Sequence, residues 1–182
     1  MSFLEGLVLG AVQGVTEWLP ISSEGINTLI ITQWMHLPAK DAIYLALWLH
    51  IGTLLAATIY FRRHILRILK ERGADFKFLF IGTVISVAVA APIVLYGLEK
   101  VIINGAGLMA IIGGLLIVTG IVQHISKKMS SRTSKQPTRG DAIVTGAAQG
   151  LAVLPGLSRS GAPTAFLLLK RHNAPSALTL SF

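Results

Sequence analysis

The chain has no cysteine among its 182 residues. Disulfides, thiolate catalysis and Cys-ligated zinc are therefore excluded, and redox compartment leaves no trace in the sequence. Charge is also scarce. Only 13% of residues are charged, against about 25% in an ordinary soluble domain. Acidic side chains are scarcest, eight against sixteen Lys and Arg. The start, Met1-Ser2-Phe3-Leu4-Glu5, lacks the positive n-region of a signal peptide. No A-x-A-like cleavage site follows the first apolar run, so that run is expected to be retained.

What is present is apolar. Hydrophobic residues make up 53% of the chain, and the mean hydropathy is +0.68. A membrane protein is the class this composition indicates. The net charge of +8 does not redirect the reading to nucleic acid. The basic residues cluster between long apolar runs, as in membrane loops, rather than forming a nucleic-acid-binding face.

Three segments meet the roughly 20-residue requirement for a spanning helix: 43–61, 78–98 and 106–125. Pro92 is expected to kink the second. Gly113, Gly114 and Gly120 let the third pack closely. Two strongly basic stretches, 62–77 and 126–140, flank a pair of spans, whereas the short stretch 99–105 between those spans is neutral. Both basic stretches are therefore expected on one side, the cytoplasmic one. They need no role beyond orientation and attraction to lipid headgroups.

Two further apolar segments are interrupted. Residues 3–33 contain Glu17, Pro20, Ser22, Ser23 and Gly25; residues 141–169 contain Pro155, Gly156, Ser158, Arg159, Ser160, Gly161 and Pro163. Each reads as two half-helices joined by a break. Irregular backbone at membrane depth is tolerated only where protein buries it or a polar cavity receives it. The second segment leaves and returns to the basic side, and the first is expected to dip in from the other.

The two segments align without a gap. Gly10, Ala11, Gln13, Gly14, Ser22 and Gly25 fall on Gly146, Ala147, Gln149, Gly150, Ser158 and Gly161. Pro20 and Pro155 are one position out of register. Two copies entering from opposite faces form an inverted repeat with a polar site at its midplane. Two ordinary hairpins with small packing residues are the plainer alternative.

The polar residues of the breaks fit an anion site. Gln13 and Glu17 share a helix face. Ser22 and Ser23 stand where the returning half-helix begins, and Ser158, Arg159 and Ser160 occupy the same place in the second copy. Helix N-termini favour phosphate, and the planar fork of Arg159 can grip phosphate oxygens. A lone arginine at the bilayer centre costs at least about 2.5 kcal/mol, so Arg159 needs an anionic partner or water. A divalent cation or Arg159 would keep Glu17 ionised, and the oxygen-rich set of Glu17 and Gln13 suits Mg²⁺ or Ca²⁺. A structural Glu17–Arg159 ion pair and N-capping by Ser22 or Ser23 are the structural alternatives. Glu24 reads as a first-turn residue answering the helix dipole. His50 reads as a bundle-facing polar residue, and His36, His64, His124 and His172 as solvated.

At 13–25 (QGVTEWLPISSEG) and 154–161 (LPGLSRSG) the chain resembles the undecaprenyl-diphosphatases, integral membrane phosphatases linked to bacitracin resistance. The first motif is similar to that family's (E/Q)-x-x-x-E followed by P-x-S-S-x-G, the second to its P-G-x-S-R-S-G. The likeness runs the whole chain, including LHIGTLLA in the first span. It implies an all-α polytopic membrane bundle with inverted repeats and two re-entrant broken-helix pairs. Residues 1–125 would form the first repeat and 126–140 a cytoplasmic basic loop. Residues 141–182 would open a second, inverted repeat. Family members have six spans, and this chain stops at SALTLSF, so the rest of that repeat is expected to be absent.

The resemblance implies hydrolysis of a polyprenyl diphosphate to the monophosphate and inorganic phosphate, recycling the lipid carrier of cell-wall glycan synthesis. It makes Glu17, Ser23 and Arg159 catalytic, and Gln13, Ser22, Ser158, Ser160, Gly25 and Gly161 substrate-binding. Glu17 and Gln13 would hold the Mg²⁺ or Ca²⁺. The partners implied are the diphosphate lipid and the membrane, with a homodimer open to it and nucleic acid not. One departure stands out: the family commonly has histidine after the first motif's glycine, where this chain has Ile26. An inverted-repeat transporter and a non-catalytic binder of lipid phosphates are the rival readings.

Overall fold

The structure, a computed structural model, describes residues 2–97, 105–129 and 136–181. Among them there are eight α-helices and no strand: α1 Phe3–Thr16, α2 Ser23–Trp34, α3 Ala39–Glu71, α4 Ala74–Pro92, α5 Gly105–Lys127, α6 Arg139–Leu151, α7 Gly161–Leu169 and α8 Ala174–Ser181. The expected all-α class holds. Helices α3, the α4 unit and α5 are long and apolar enough to cross a membrane. Their outward faces carry exposed Leu54, Ile59, Leu79, Val84, Ile117 and Ile121. Such a surface is a liability in water and ordinary against lipid tails.

The first span is longer than its apolar run. α3 continues through Arg62, Arg63, Arg67 and Lys70 as a single 33-residue helix, so most of the basic stretch at 62–77 is helix rather than loop. Lys, Arg and Leu are good helix formers, and hydropathy alone does not end a helix. It ends where Arg72 turns left-handed at φ 47° and Gly73 begins the next element. α4 therefore starts at Ala74, four residues before the predicted span. Past Pro92 the chain widens into a π-helical turn, Ile93–Gly97, a common way to absorb a lost N–H. Residues 98–104, which take in all but the last residue of the neutral stretch 99–105, and residues 130–135 of the second basic stretch lie outside the described residues.

Both interrupted segments form two helices joined by a break, α1–α2 and α6–α7. Their capping recurs at the same spacing as the sequence repeat. Ser2 and Glu5 form a reciprocal capping box at the start of α1, and Thr138 and Asp141 form one at the start of α6. Gly25 N donates to Ser22 Oγ at 3.2 Å, and Gly161 N to Ser158 Oγ at 2.9 Å. Each box satisfies two otherwise orphaned N–H groups.

Packing then sets the frame. Leu9, Ile31, Ala42 and Ala46 tie α1, α2 and α3 into one apolar core. Ile43, Leu108 and Ile112 join α3 to α5. Phe78, Ala142, Leu167 and Ala177 join α4 to α6, α7 and α8. α4 and α6 approach closely: a Cβ on Gly146 would fall on the carbonyl of Gly82, and one on Gly150 would lie 2.7 Å from Ser86 O and Val89 Cβ. The equivalent glycines of α1, Gly10 and Gly14, meet nothing within 4 Å. One histidine departs from expectation. His172 is buried, not solvated, with Nε2 3.5 Å from Asp141 Oδ2, and links the α7–α8 turn to the head of α6.

Candidate functional site

The two breaks pack against each other. Pro20 and the residues around it cannot continue α1, because proline lacks the donor a helix interior needs. The second break turns at Gly156, whose φ of +107° suits glycine and whose missing side chain admits the backbone of Ile112 in α5. The Gly156 N–H donates to Ser22 Oγ at 3.1 Å, and Ser158 Oγ donates to the carbonyl of Ile21 at 3.1 Å. α5 clamps both breaks. Thr119 Oγ1 donates to Gly156 O at 3.2 Å, and the Gln123 amide donates to the Pro20 carbonyl.

Around Glu17 the site is ordered by hydrogen bonds. Ser23 Oγ donates to Glu17 Oε2 at 2.7 Å, and Gln13 Nε2 donates to the same oxygen at 2.9 Å. Gln13 Oε1 accepts from Asn27 Nδ2 at 2.8 Å, and Asn27 Nδ2 also reaches Ser23 O at 3.1 Å. The chain of donors fixes every orientation. Asn27 must present NH₂ to a backbone carbonyl, so Gln13 turns its oxygen to Asn27 and its NH₂ to Glu17. His50 Nε2 approaches Glu17 Oε2 at 3.3 Å from α3.

A cavity of about 270 Å³ opens over these groups, lined by Glu17, His50, Gln149, Arg159 and Ser160, with Trp18 and Leu54 on its apolar side. Small-molecule pockets start near 300 Å³, so the space suits a diphosphate headgroup and not a long prenyl tail. Arg159 is exposed into it, and among the described residues no ion pair joins it to Glu17. The structural ion pair is therefore not what places them together. Both face one polar space.

The sequence-derived candidates separate into two groups. Glu17, Arg159 and Ser160 line the cavity, and Ser23, itself buried, is held against Glu17 behind that lining. Ser22, Ser158, Gly25 and Gly161 do not line it. Ser22 and Ser158 spend their hydroxyls on helix capping and on the contact between the breaks. A Cβ on Gly25 would come within 3.1 Å of Gly156 N, and Gly161 abuts Ser158 and the Gln123 amide. These four join the two breaks to each other. Gln13 lies one step back, holding Glu17.

The metal pair Glu17 and Gln13 does not fit a divalent cation as expected. The amide offers the carboxylate its NH₂, a donor that no cation accepts, and its oxygen is taken by Asn27. The described residues contain no group of three or more His, Asp or Glu arranged to hold a metal.

Sequence reasoning left His50 outside the site and did not place Gln149 or Asn27. Gln149 was within reach of the repeat, as the partner of Gln13. An ionisable residue within a span is itself a signal of function, and His50 carried that signal. Glu24 is more than a first-turn residue: it is 4% exposed, and its Oε1 has no hydrogen-bond partner among the described residues.

Broken helices meeting over a serine, a carboxylate and an arginine, within a frame of membrane-length helices, define an integral membrane protein with a polar site between its breaks. The chain belongs to the family described as bacitracin resistance protein BacA, whose model matches residues 6–182. It is 40% identical to an undecaprenyl-diphosphatase of Methanococcoides burtonii, across all of this chain and 73% of that protein. It is 36% identical to one of Haloarcula marismortui, across 98% of this chain and 71% of that protein. It is 34% identical to one of Methanothrix thermoacetophila, across all of this chain and 70% of that protein.

Proposed function

We propose that this chain is a membrane phosphatase that hydrolyses undecaprenyl or a related polyprenyl diphosphate to the monophosphate and inorganic phosphate. Family membership and the names of the relatives support the reaction. The observation that carries it chemically is the 2.7 Å bond from Ser23 Oγ to Glu17 Oε2. A hydroxyl paired with a carboxylate is the arrangement of an activated nucleophile and its base.

In the proposed chemistry the terminal phosphoryl group sits in the cavity beside Arg159. Ser23 Oγ attacks phosphorus, or positions the water that does, while Glu17 takes the proton. The bridging P–O bond breaks and the polyprenyl monophosphate leaves. Where a phosphoserine forms, water then hydrolyses it to inorganic phosphate. Arg159 and the N-terminal turns of α2 and α7 offset the charge that grows on the equatorial oxygens. No step is assigned to a divalent cation at Gln13 and Glu17, because of how the amide is turned.

We also read the two broken pairs as re-entrant copies in opposite orientation. The paired capping boxes and the paired Ser22 and Ser158 caps support that reading. The prenyl tail stays in lipid, past Trp18 and Leu54, and the basic stretches at 62–77 and 126–140 face the cytoplasm of the cell membrane by the positive-inside rule. Release of inorganic phosphate from farnesyl diphosphate by the purified chain tests the function. Tight binding without release would instead make it a binder.

A further inference from the structure

His50 lies in the middle of α3, far in sequence from both breaks, yet its ring faces the reacting groups. Nε2 is 3.3 Å from Glu17 Oε2, and Nδ1 is 2.9 Å from the carbonyl oxygen of Ala46. The first contact brings the ring edge to the carboxylate, and the second anchors the ring on its own helix. The side chain is 12% exposed and lines the same cavity as Arg159 and Gln149.

The two hydrogen-bond donors to Glu17 Oε2 come from nearby in the chain, Gln13 one turn back on α1 and Ser23 at the head of α2. Those bonds orient the carboxylate within its own broken segment. They do not tie it to the opposite wall of the cavity, which α3 forms through Thr53, Leu54 and Ala57. His50 makes that tie. Its anchor is firm, because Ala46 is fully buried in the core shared with Leu9, Ile31 and Ala42. An imidazole thus reaches the site from α3 even though Ile26 follows the motif glycine.

We propose that His50 is a positioning residue: its ring, anchored on Ala46 O and 3.3 Å from Glu17 Oε2, holds the carboxylate against Ser23 and in register with the cavity wall. The role rests on the phosphatase reading, because a base needs holding only where a proton is taken.

Steady-state phosphate release from farnesyl diphosphate by the purified chain in detergent tests it, with wild type, H50A and H50Q side by side. H50A is expected to lower kcat about 10- to 100-fold, the size of one hydrogen bond to a charged group. KM should stay within about twofold, as for an interaction that strengthens only in the transition state. H50Q keeps a donor on a side chain of similar reach and is expected to recover part of the loss. Should H50A fail to fold, H50Q carries the test, with kcat below wild type and KM unchanged. Wild-type kcat in H50A, a loss confined to KM, or H50Q no better than a folded H50A overturns the positioning role and leaves the phosphatase standing. A wild-type chain that releases no phosphate overturns the phosphatase reading and the role of His50 with it.

Discussion

The hydroxyl of Ser23 donates to the Glu17 carboxylate across the break between α1 and α2, at 2.7 Å. Neither helix alone could make this contact. α1 delivers the carboxylate at its C-terminal end, and α2 delivers the hydroxyl as its first residue. The break folds one onto the other.

The first prediction concerns that hydroxyl. Ser23→Ala is expected to lower phosphate release by at least about 10³-fold, since removal of a nucleophile or of its base costs on this order or more. Ser23→Thr keeps a hydroxyl and is expected to retain measurable turnover. Acid-quenched mass spectrometry of the working enzyme should place any trapped phosphoryl group on Ser23. Activity in the alanine variant equal to wild type would remove Ser23 from the chemistry.

Ser22, its neighbour, carries a different load. It caps α2 and accepts from Gly156 N, while Ser158 accepts from Gly161 N, the first N–H of α7, and donates to Ile21 O. Ser22→Ala and Ser158→Ala are each expected to cost about 1–2 kcal/mol of stability, the upper range for a lost cap. Because the two share one contact surface, the double variant should depart from the sum of the singles. Thermal unfolding in detergent reads this. Unchanged stability with abolished phosphate release would make Ser22 a headgroup contact instead.

The glycines give a third prediction. Gly146→Leu would drive a side chain into the Gly82 backbone and is expected to cost about 1–3 kcal/mol or more, as overpacking does. Gly14→Leu meets open space within 4 Å and is expected to be tolerated. Thermal midpoints of the two variants in the same detergent decide it, and equal losses would contradict the packing.

Much of this was legible in the sequence, because proline, serine and glycine in an apolar run leave few local options. Pro20 with Ser22, and Pro155 with Gly156, announce broken helices, and the repeated Gln, Ser and Gly positions announce related ones. What could not be read is of two kinds. The end of α3 was hidden because Arg62 to Lys70 change the hydropathy without disfavouring helix, so the apolar boundary and the helix boundary differ. The partners of each polar group were hidden because they are tertiary. Nothing local says that Ser22 turns to Gly156 while Ser23 turns to Glu17, or that His50 reaches Glu17 from another helix. The orientation of the Gln13 amide depends on Asn27, and that contact turns its NH₂ rather than its oxygen toward Glu17.

The central claim is that Glu17 and Arg159, brought from two broken segments to one cavity, act together on a lipid diphosphate. Initial-rate phosphate release from farnesyl diphosphate, measured on wild type, E17A and R159A after each is shown to be folded, tests it most directly. The account predicts losses of about 10²- to 10⁴-fold for the base and about 10²- to 10³-fold for the charge-stabilising arginine. Wild-type turnover that survives either substitution at full rate would contradict it.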